Sequence, residues 1–259
     1  MKIFTLPSAS PKQTIIQDFG LGKISISYSR PSLSGRTVFG NNSILAPLGK
    51  LWRTGADNAT LITFSDNVTI GNKLIEASTY SLLTIPGLET WEIILNKSIR
   101  GIGAYNNADD VVRIMVPVQE NILNKETFTI NIQQLQYESC TIQLCWANVM
   151  VEFSVTTAIV ERLHKSYEAQ LASESKPHFQ AAAFYFVLGN DNHKALNEVN
   201  IALQSNPGAY YMHYLKSNIE AAIGDAEAAK QSAQKTLEAA VAAGSDDYKR
   251  LAEEIITRL

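Results

Sequence analysis

The densest concentration of recognition chemistry in this sequence is the run GKLWRTGADNAT, Gly49 to Thr60. It sets an indole, a guanidinium, a carboxylate and an amide within a few positions. A guanidinium is a planar fork of donors matched to carboxylate or phosphate. Trp52 and Arg53 are adjacent, so in an extended segment they point to opposite sides. Trp52 then enters a core or walls a pocket, and Arg53 reaches the surface. There Arg53 either meets a ligand or bridges an acid such as Asp57 to pin its own loop. Upstream, SRPSLSGRTVFGNN is rich in Ser, Gly and Asn, with Pro31 fixing its φ; it reads as a structured loop carrying Arg30 and Arg36 outward. If that loop folds over the same end of the molecule, the three arginines form a cleft for a small anionic or polyhydroxyl ligand. The expected ligand-binding set is Tyr28, Arg30, Arg36, Trp52, Arg53, Thr54, Asp57 and Asn58.

Other chemistries find less support. The histidines, His164, His178, His193 and His213, all fall in the C-terminal part at spacings that match no HExxH helix. A Ser-His-Asp or Cys-His hydrolase in the N-terminal part is therefore disfavoured, and no metal or cofactor is expected. Asp57, Asp66, Glu76, Glu89, Glu92, Asp109 and Asp110 could supply a carboxylate pair for a sugar hydrolase; solvated turn carboxylates are the plainer reading. The GIG at 101–103 precedes no helical pattern and reads as a turn. Tyr28, Tyr80, Tyr105 and Trp91 adjoin polar loops and are more simply rim or core residues than a sugar platform.

The elements that must position these residues follow from patterning. The chain has 259 residues, 46% hydrophobic and 18% charged, enough to bury a core in one large or two ordinary domains. A net charge of -3 with scattered Lys and Arg gives no footprint for nucleic acid. No apolar stretch approaches the ~18 residues of a membrane span. The start, MKIFTLPSASPK, lacks the apolar core of a signal peptide; the protein is periplasmic or secreted if Met1 replaces a removed leader, and otherwise cytoplasmic. Cys140 and Cys145 lie five apart on a strand-like run, about 16 Å in extended chain, too far for a disulfide. They read as free thiols, one inward and one outward.

Short β-like runs recur at 23–28, 60–68, 79–85, 90–96, 111–118, 126–135, 140–147 and 149–155, with a hairpin through Gly71-Asn72. With no room for helical crossovers, these predict an antiparallel, jelly-roll-like sandwich over 10–156. Composition then shifts to Ala, Leu, Glu, Lys and Gln, good helix formers, over 157–259. Ile159, Leu163, Tyr167 and Leu171 take helical spacing, and Ser173 to Pro177 reads as a break. A period of 34 aligns Ala195, Ala202, Leu203 and Pro207 with Ala229, Thr236, Leu237 and Val241, and Asn190 with Gly224. GDAEAA, ALNEVNIAL and the Asn206-Pro207 stop resemble at most two tetratricopeptide repeats, so the tail is expected to be a helical, tetratricopeptide-like domain.

The segments ISYSRPSLSGRTVFG, LAPLGKLWRTGADNATLITFS, TIGNKLIEASTYSLLTIPG, WEIILNKSIRGIGAYN and DVVRIMVPV together resemble the bacterial DUF2911 family, from about Ser10 to Thr156. The motif positions here are Tyr28, Arg30, Pro31, Gly35, Arg36, Gly49, Trp52, Arg53, Thr54, Gly55 and Ala56. The usual GAN is GADN here, which places Asp57 where an Asn is usual. The resemblance implies an envelope protein, some relatives carrying a tetratricopeptide-like tail, and brings no catalytic role. These observations favour a non-enzymatic binding module of the bacterial envelope, with an Arg-rich cleft for the ligand and helices for a protein partner. The alternatives are a carboxylate-dependent hydrolase acting on a sugar, and a structural or assembly protein with no small ligand.

Overall fold

A computed structural model describes residues 6–171 and 176–259. The first residues of MKIFTLPSASPK and most of the break at Ser173 to Pro177 lie outside the described residues. The chain divides after Ile159 into two compact units.

The first unit is an antiparallel sandwich. One sheet has the order β1 (Lys12–Phe19), β2 (Gly22–Ser29), β5 (Thr60–Phe64), β8 (Ser78–Ile85), β9 (Thr90–Asn96), β10 (Asp110–Pro117). The other has the order β11 (Gln119–Gln133), β12 (Ser139–Thr156), β6 (Val68–Ile70), β7 (Lys73–Ile75). A two-residue parallel pair, β3 (Phe39–Gly40) with β4 (Ala46–Pro47), lies in the loop between β2 and β5. The chain leaves the first sheet for β6 and β7, returns for β8, and crosses again after β10. The barrel is not closed, since β1 and β10 are sheet ends.

Alternation creates the two inner faces. Ile24, Ile26 and Tyr28 of β2, Ile62 and Phe64 of β5, and Trp91, Ile93 and Leu95 of β9 point the same way. They share one apolar core with Phe128, Ile130, Ile142, Leu144, Trp146, Val151, Phe153 and Val155 of the facing sheet. The Gly71-Asn72 hairpin forms as its sequence indicates, with φ of 54° and 64°, the pair of left-handed residues a two-residue turn needs. A Cβ on Gly71 would lie 2.4 Å from a methyl of Ile114, so the turn is also tightly packed.

Three departures from expectation have local causes. QTIIQDF forms a full strand, β1, although no clean alternation marks it. CTIQLCWA and VMVEFSV, two runs in the sequence, are one long strand: it continues through Asn148 by way of a bulge, with Ala147 at φ 52° where the β11 register shifts. Cys140 and Cys145 are free, but both are buried. Cys140 faces the core, whereas Cys145 faces the other side of β12, covered near Gln143, Lys125 and Glu152.

The second unit contains α1 (Val160–Leu171), α2 (His178–Val187), α3 (Asn192–Ser205), α4 (Tyr210–Ala222), α5 (Ala226–Ala243) and α6 (Asp246–Arg258). Asp191 and Asp225 cap α3 and α5 by accepting from Lys194 N and Ala228 N. Ahead of these caps, Asn190 and Gly224 both take positive φ, so the turn geometry recurs at the period seen in the sequence. The aligned Ala195 and Ala229 are both buried, where small side chains let helices approach. Rings join the first helices of successive hairpins: Phe179 of α2 meets Tyr211 of α4, and Tyr210 and Tyr214 of α4 meet Tyr248 of α6.

Burial pushes the Cys140 thiol up to about 11 from 9.0. Its stabilising effect is therefore complete below the unfolded value and is lost as pH rises from about 9 through 11. Two outcomes follow. Native protein resists thiol labelling by a disulfide reagent at neutral pH until denaturant is added. The wild type loses more stability between pH 9 and 11 than Cys140→Ala does, measured by urea titration.

Candidate functional site

The segment between β4 and β5 runs beside the end of β8. Gly49 N donates to Pro86 O, and Trp52 and Thr84 exchange both backbone hydrogen bonds at 2.7 and 3.0 Å. This pins Trp52 with its indole inward, 4% exposed. The ring stacks on Trp146 with centroids 5.8 Å apart and planes at 15°. It meets Phe128 at 5.1 Å, Trp91 at 6.0 Å and Phe39 at 6.4 Å edge-on. Its Nε1 donates to Gly55 O, so the polar tip is satisfied inside its own loop.

The loop beyond Trp52 is strained and heavily bonded. Thr54 is β-branched yet sits at φ 56°, a conformation that costs roughly 1–3 kcal/mol. It is fully buried: its Oγ1 donates to Thr84 Oγ1, its carbonyl accepts from Thr60 Oγ1, and Thr60 N donates to Arg53 O. Gly55 has φ 150°, and a Cβ there would stand 2.9 Å from Ser29 O, so only glycine fits. Asp57 also has positive φ, 57°. Asn and Asp are the side chains that best tolerate that region, which accounts for Asp57 where the resemblance has Asn.

Tyr28 is buried; its hydroxyl accepts from Ile130 N and donates to Gln13 Oε1, tying β2 to β11 across the sandwich. Burial raises its pKa. Arg30 Nε donates to Phe128 O and its Nη2 to Thr129 Oγ1. The residues after it pair with β11, through Phe128 N to Pro31 O and Leu33 N to Glu126 O. Arg36 donates to Leu33 O and Ser32 O. Arg53 donates to the Asp57 carbonyl, so it pins its loop through the backbone and not through the carboxylate. Asp57 and Asn58 are exposed. Arg30, Arg36 and Arg53 thus each hold main-chain oxygens, and the four described cavities are lined by other residues.

A second polar cluster lies on the outer face of the six-stranded sheet. Arg113 of β10 bonds Glu92 of β9 through Nη1; its Nη2 donates to Asp110 Oδ2 at 3.1 Å and to the Tyr105 hydroxyl at 2.8 Å. Tyr105 donates to Asp110 Oδ2, and the buried Asn96 donates to Asp110 Oδ1 and to Asn106 O. Burial, then the bond to Asp110, raises the Tyr105 pKa. Beside these groups lies a hollow of about 670 Å³ lined by Glu92, Asn107, Asp110, Arg113, Ile114 and Met115. Glu92 and Asp110 were among the candidate carboxylates, but nothing in the sequence tied them to Arg113. That link comes from the β9–β10 register, which brings Arg113 opposite Ile94, diagonal to Glu92. Both oxygens of Asp110 are occupied by donors, an arrangement suited to pinning the 97–109 loop and poorly suited to passing a proton.

The described part before Val160 is therefore an antiparallel sandwich whose Arg-, Tyr- and Thr-bearing loops join its sheets and seat a tryptophan. The chain belongs to the family of proteins of unknown function DUF2911, whose model matches residues 10–155. A comparison with curated proteins gave no match.

Trp52→Ala is expected to cost about 3–5 kcal/mol, as for other large-to-small core changes, read from the urea midpoint. Asn96→Ala removes the donor shared by Asp110 and Asn106 and is expected to cost about 1–3 kcal/mol, with faster proteolysis within 97–109.

Proposed function

We propose that this protein is a non-enzymatic binding module that holds an extended segment of a protein partner on its helical unit. One observation carries this reading. Phe179, Tyr210, Tyr211, Tyr214 and Tyr248 form a row of half-exposed rings across α2, α4 and α6. Among the described residues no side chain takes up the four tyrosine hydroxyls. Rings of this kind offer contact area at low entropic cost, and their hydroxyls suit the main chain of a bound peptide. The tetratricopeptide-like period of the tail supports the same reading, as does a sandwich whose loops act as a scaffold.

A small anionic or polyhydroxyl ligand at Tyr28, Arg30, Arg36, Trp52, Arg53, Thr54, Asp57 and Asn58 is the second reading. It is favoured by the exposure of Arg36, Asp57 and Asn58 on neighbouring family motifs. It would draw on the guanidinium donors left over once each arginine has bonded its main-chain oxygens. A sugar hydrolase built on Glu92 and Asp110 is less supported still, because Arg113 holds both acids. Placement in the bacterial envelope is part of the proposal and rests on the family resemblance alone.

A displayed random-peptide library panned on the full chain should enrich sequences that bind in the micromolar range, and Tyr211→Ala with Tyr214→Ala should abolish that binding while far-UV circular dichroism is unchanged. Enriched peptides indifferent to both changes would refute the helical site. A thermal-shift panel of sugars, carboxylates and phosphates discriminates the second reading: a rise in Tm that Arg53→Lys and Arg36→Lys remove would favour it.

A further inference from the structure

The six-stranded sheet ends at β1, and that edge differs from the sandwich's other edges. β7 is three residues long. β11 is flanked by the segment from Pro31 to Ser34. β10 is bulged between Asp110 and Val112 and ends at Pro117. Short strands, bulges, prolines and covering segments are the usual means of blunting an edge. Among the described residues β1, which Pro11 precedes, has no internal proline, no bulge and no covering segment: Lys12 to Phe19 pairs with Ser29 to Gly22 in one unbroken register.

The free side of β1 can be assigned. Arg30 N donates to Pro11 O, so the odd-numbered residues of this strand turn their main-chain groups toward β2. Those of Lys12, Thr14, Ile16 and Asp18 point away from the sheet. No described strand pairs with them; among the described residues the Gln17 side-chain amide donates to Asp18 O and the other main-chain groups of the four have no partner. Ile16 stands among them 66% exposed.

We propose that the protein forms a two-fold dimer in which β1 pairs antiparallel with β1 of a second copy, making one sheet continuous across both. The charges select this occupant and its register. Centring the pairing on Ile15 sets Lys12 against Asp18 of the second copy, and the symmetry repeats the pair. Thr14 then faces Ile16 on the outer side, and Gln13 faces Gln17 on the inner side. Residues that face each other lie on the same side of the sheet, so alternation is kept throughout. Asp18 already holds Lys23 at 3.2 Å, an exposed pair that leaves the carboxylate room for a second cation. Main-chain bonds supply affinity in such edge pairing, and the alternate side chains supply specificity.

Sedimentation velocity of the full chain across the micromolar range tests this. The expected result is a monomer–dimer equilibrium that Ile16→Pro shifts to monomer with an unchanged far-UV spectrum, because the lost N–H points away from β2. Lys12→Asp and Asp18→Lys should each raise the dissociation constant about tenfold, two like-charge contacts being created per dimer. The double change Lys12→Asp with Asp18→Lys should restore it to within a few-fold. A wild-type chain monomeric throughout, a dimer untouched by Ile16→Pro, or charge reversals that fail to compensate would each overturn the proposal.

Discussion

The seating of Trp52 between the two sheets is the constraint on which the β unit depends. Three tryptophans meet there, with Trp52 lying flat on Trp146 of one sheet and edge-on to Trp91 of the other. Trp52 itself lies outside both sheets and in no long strand. It reaches the core because a short loop is clamped to Thr84, and that clamp needs a β-branched residue in a left-handed conformation and a glycine that no other residue could replace. Burial of a side chain of this size offsets the local backbone strain. The loop motifs around it are best understood as the means of holding that ring in place.

The same logic extends to the arginines. A guanidinium that donates to main-chain oxygens is as specific as one that grips a ligand, and on the page of the sequence the two are identical. Here Arg30 joins the β2 exit to β11, Arg36 closes its own turn, and Arg53 closes the loop beyond Trp52. A buried carbonyl without a partner is costly, and Arg30 supplies a donor to Phe128 O at the edge of β11, where no described strand pairs. Tyr28 performs the equivalent task at the β2–β11 boundary. The outer-face cluster of Asn96, Tyr105, Asp110 and Arg113 does so for the 97–109 loop.

The helical unit is built on a different economy. Buried alanines and capped turns keep its helices close around a small core of Tyr167, Tyr185, Val199 and Ile219, while five further rings on α2, α4 and α6 stay half covered. The β unit uses its aromatic residues internally, whereas the helical unit displays a row of them.

What the sequence determined by itself was the local and periodic part: strand alternation at 23–28 and 90–96, the Gly71-Asn72 hairpin, the change of composition near Thr157, and the 34-residue period. These depend on near neighbours along the chain, so they can be read from one sequence. The family, too, was legible, because YSRPS and WRTGA are ordered runs. Tertiary structure alone decided which partners the polar groups take. Arg53 and Asp57 were correctly seen as one loop, but the acceptor is a carbonyl, and carbonyls carry no sequence signature. Arg113 and Glu92 meet only through strand register, Cys145 is buried beside Gln143, Lys125 and Glu152, which β11 and β12 bring to its side, and β12 runs on through Ala147 and Asn148 where the sequence shows two separate runs. Each of these is settled by long-range pairing, where one sequence position says nothing about the atom it will face.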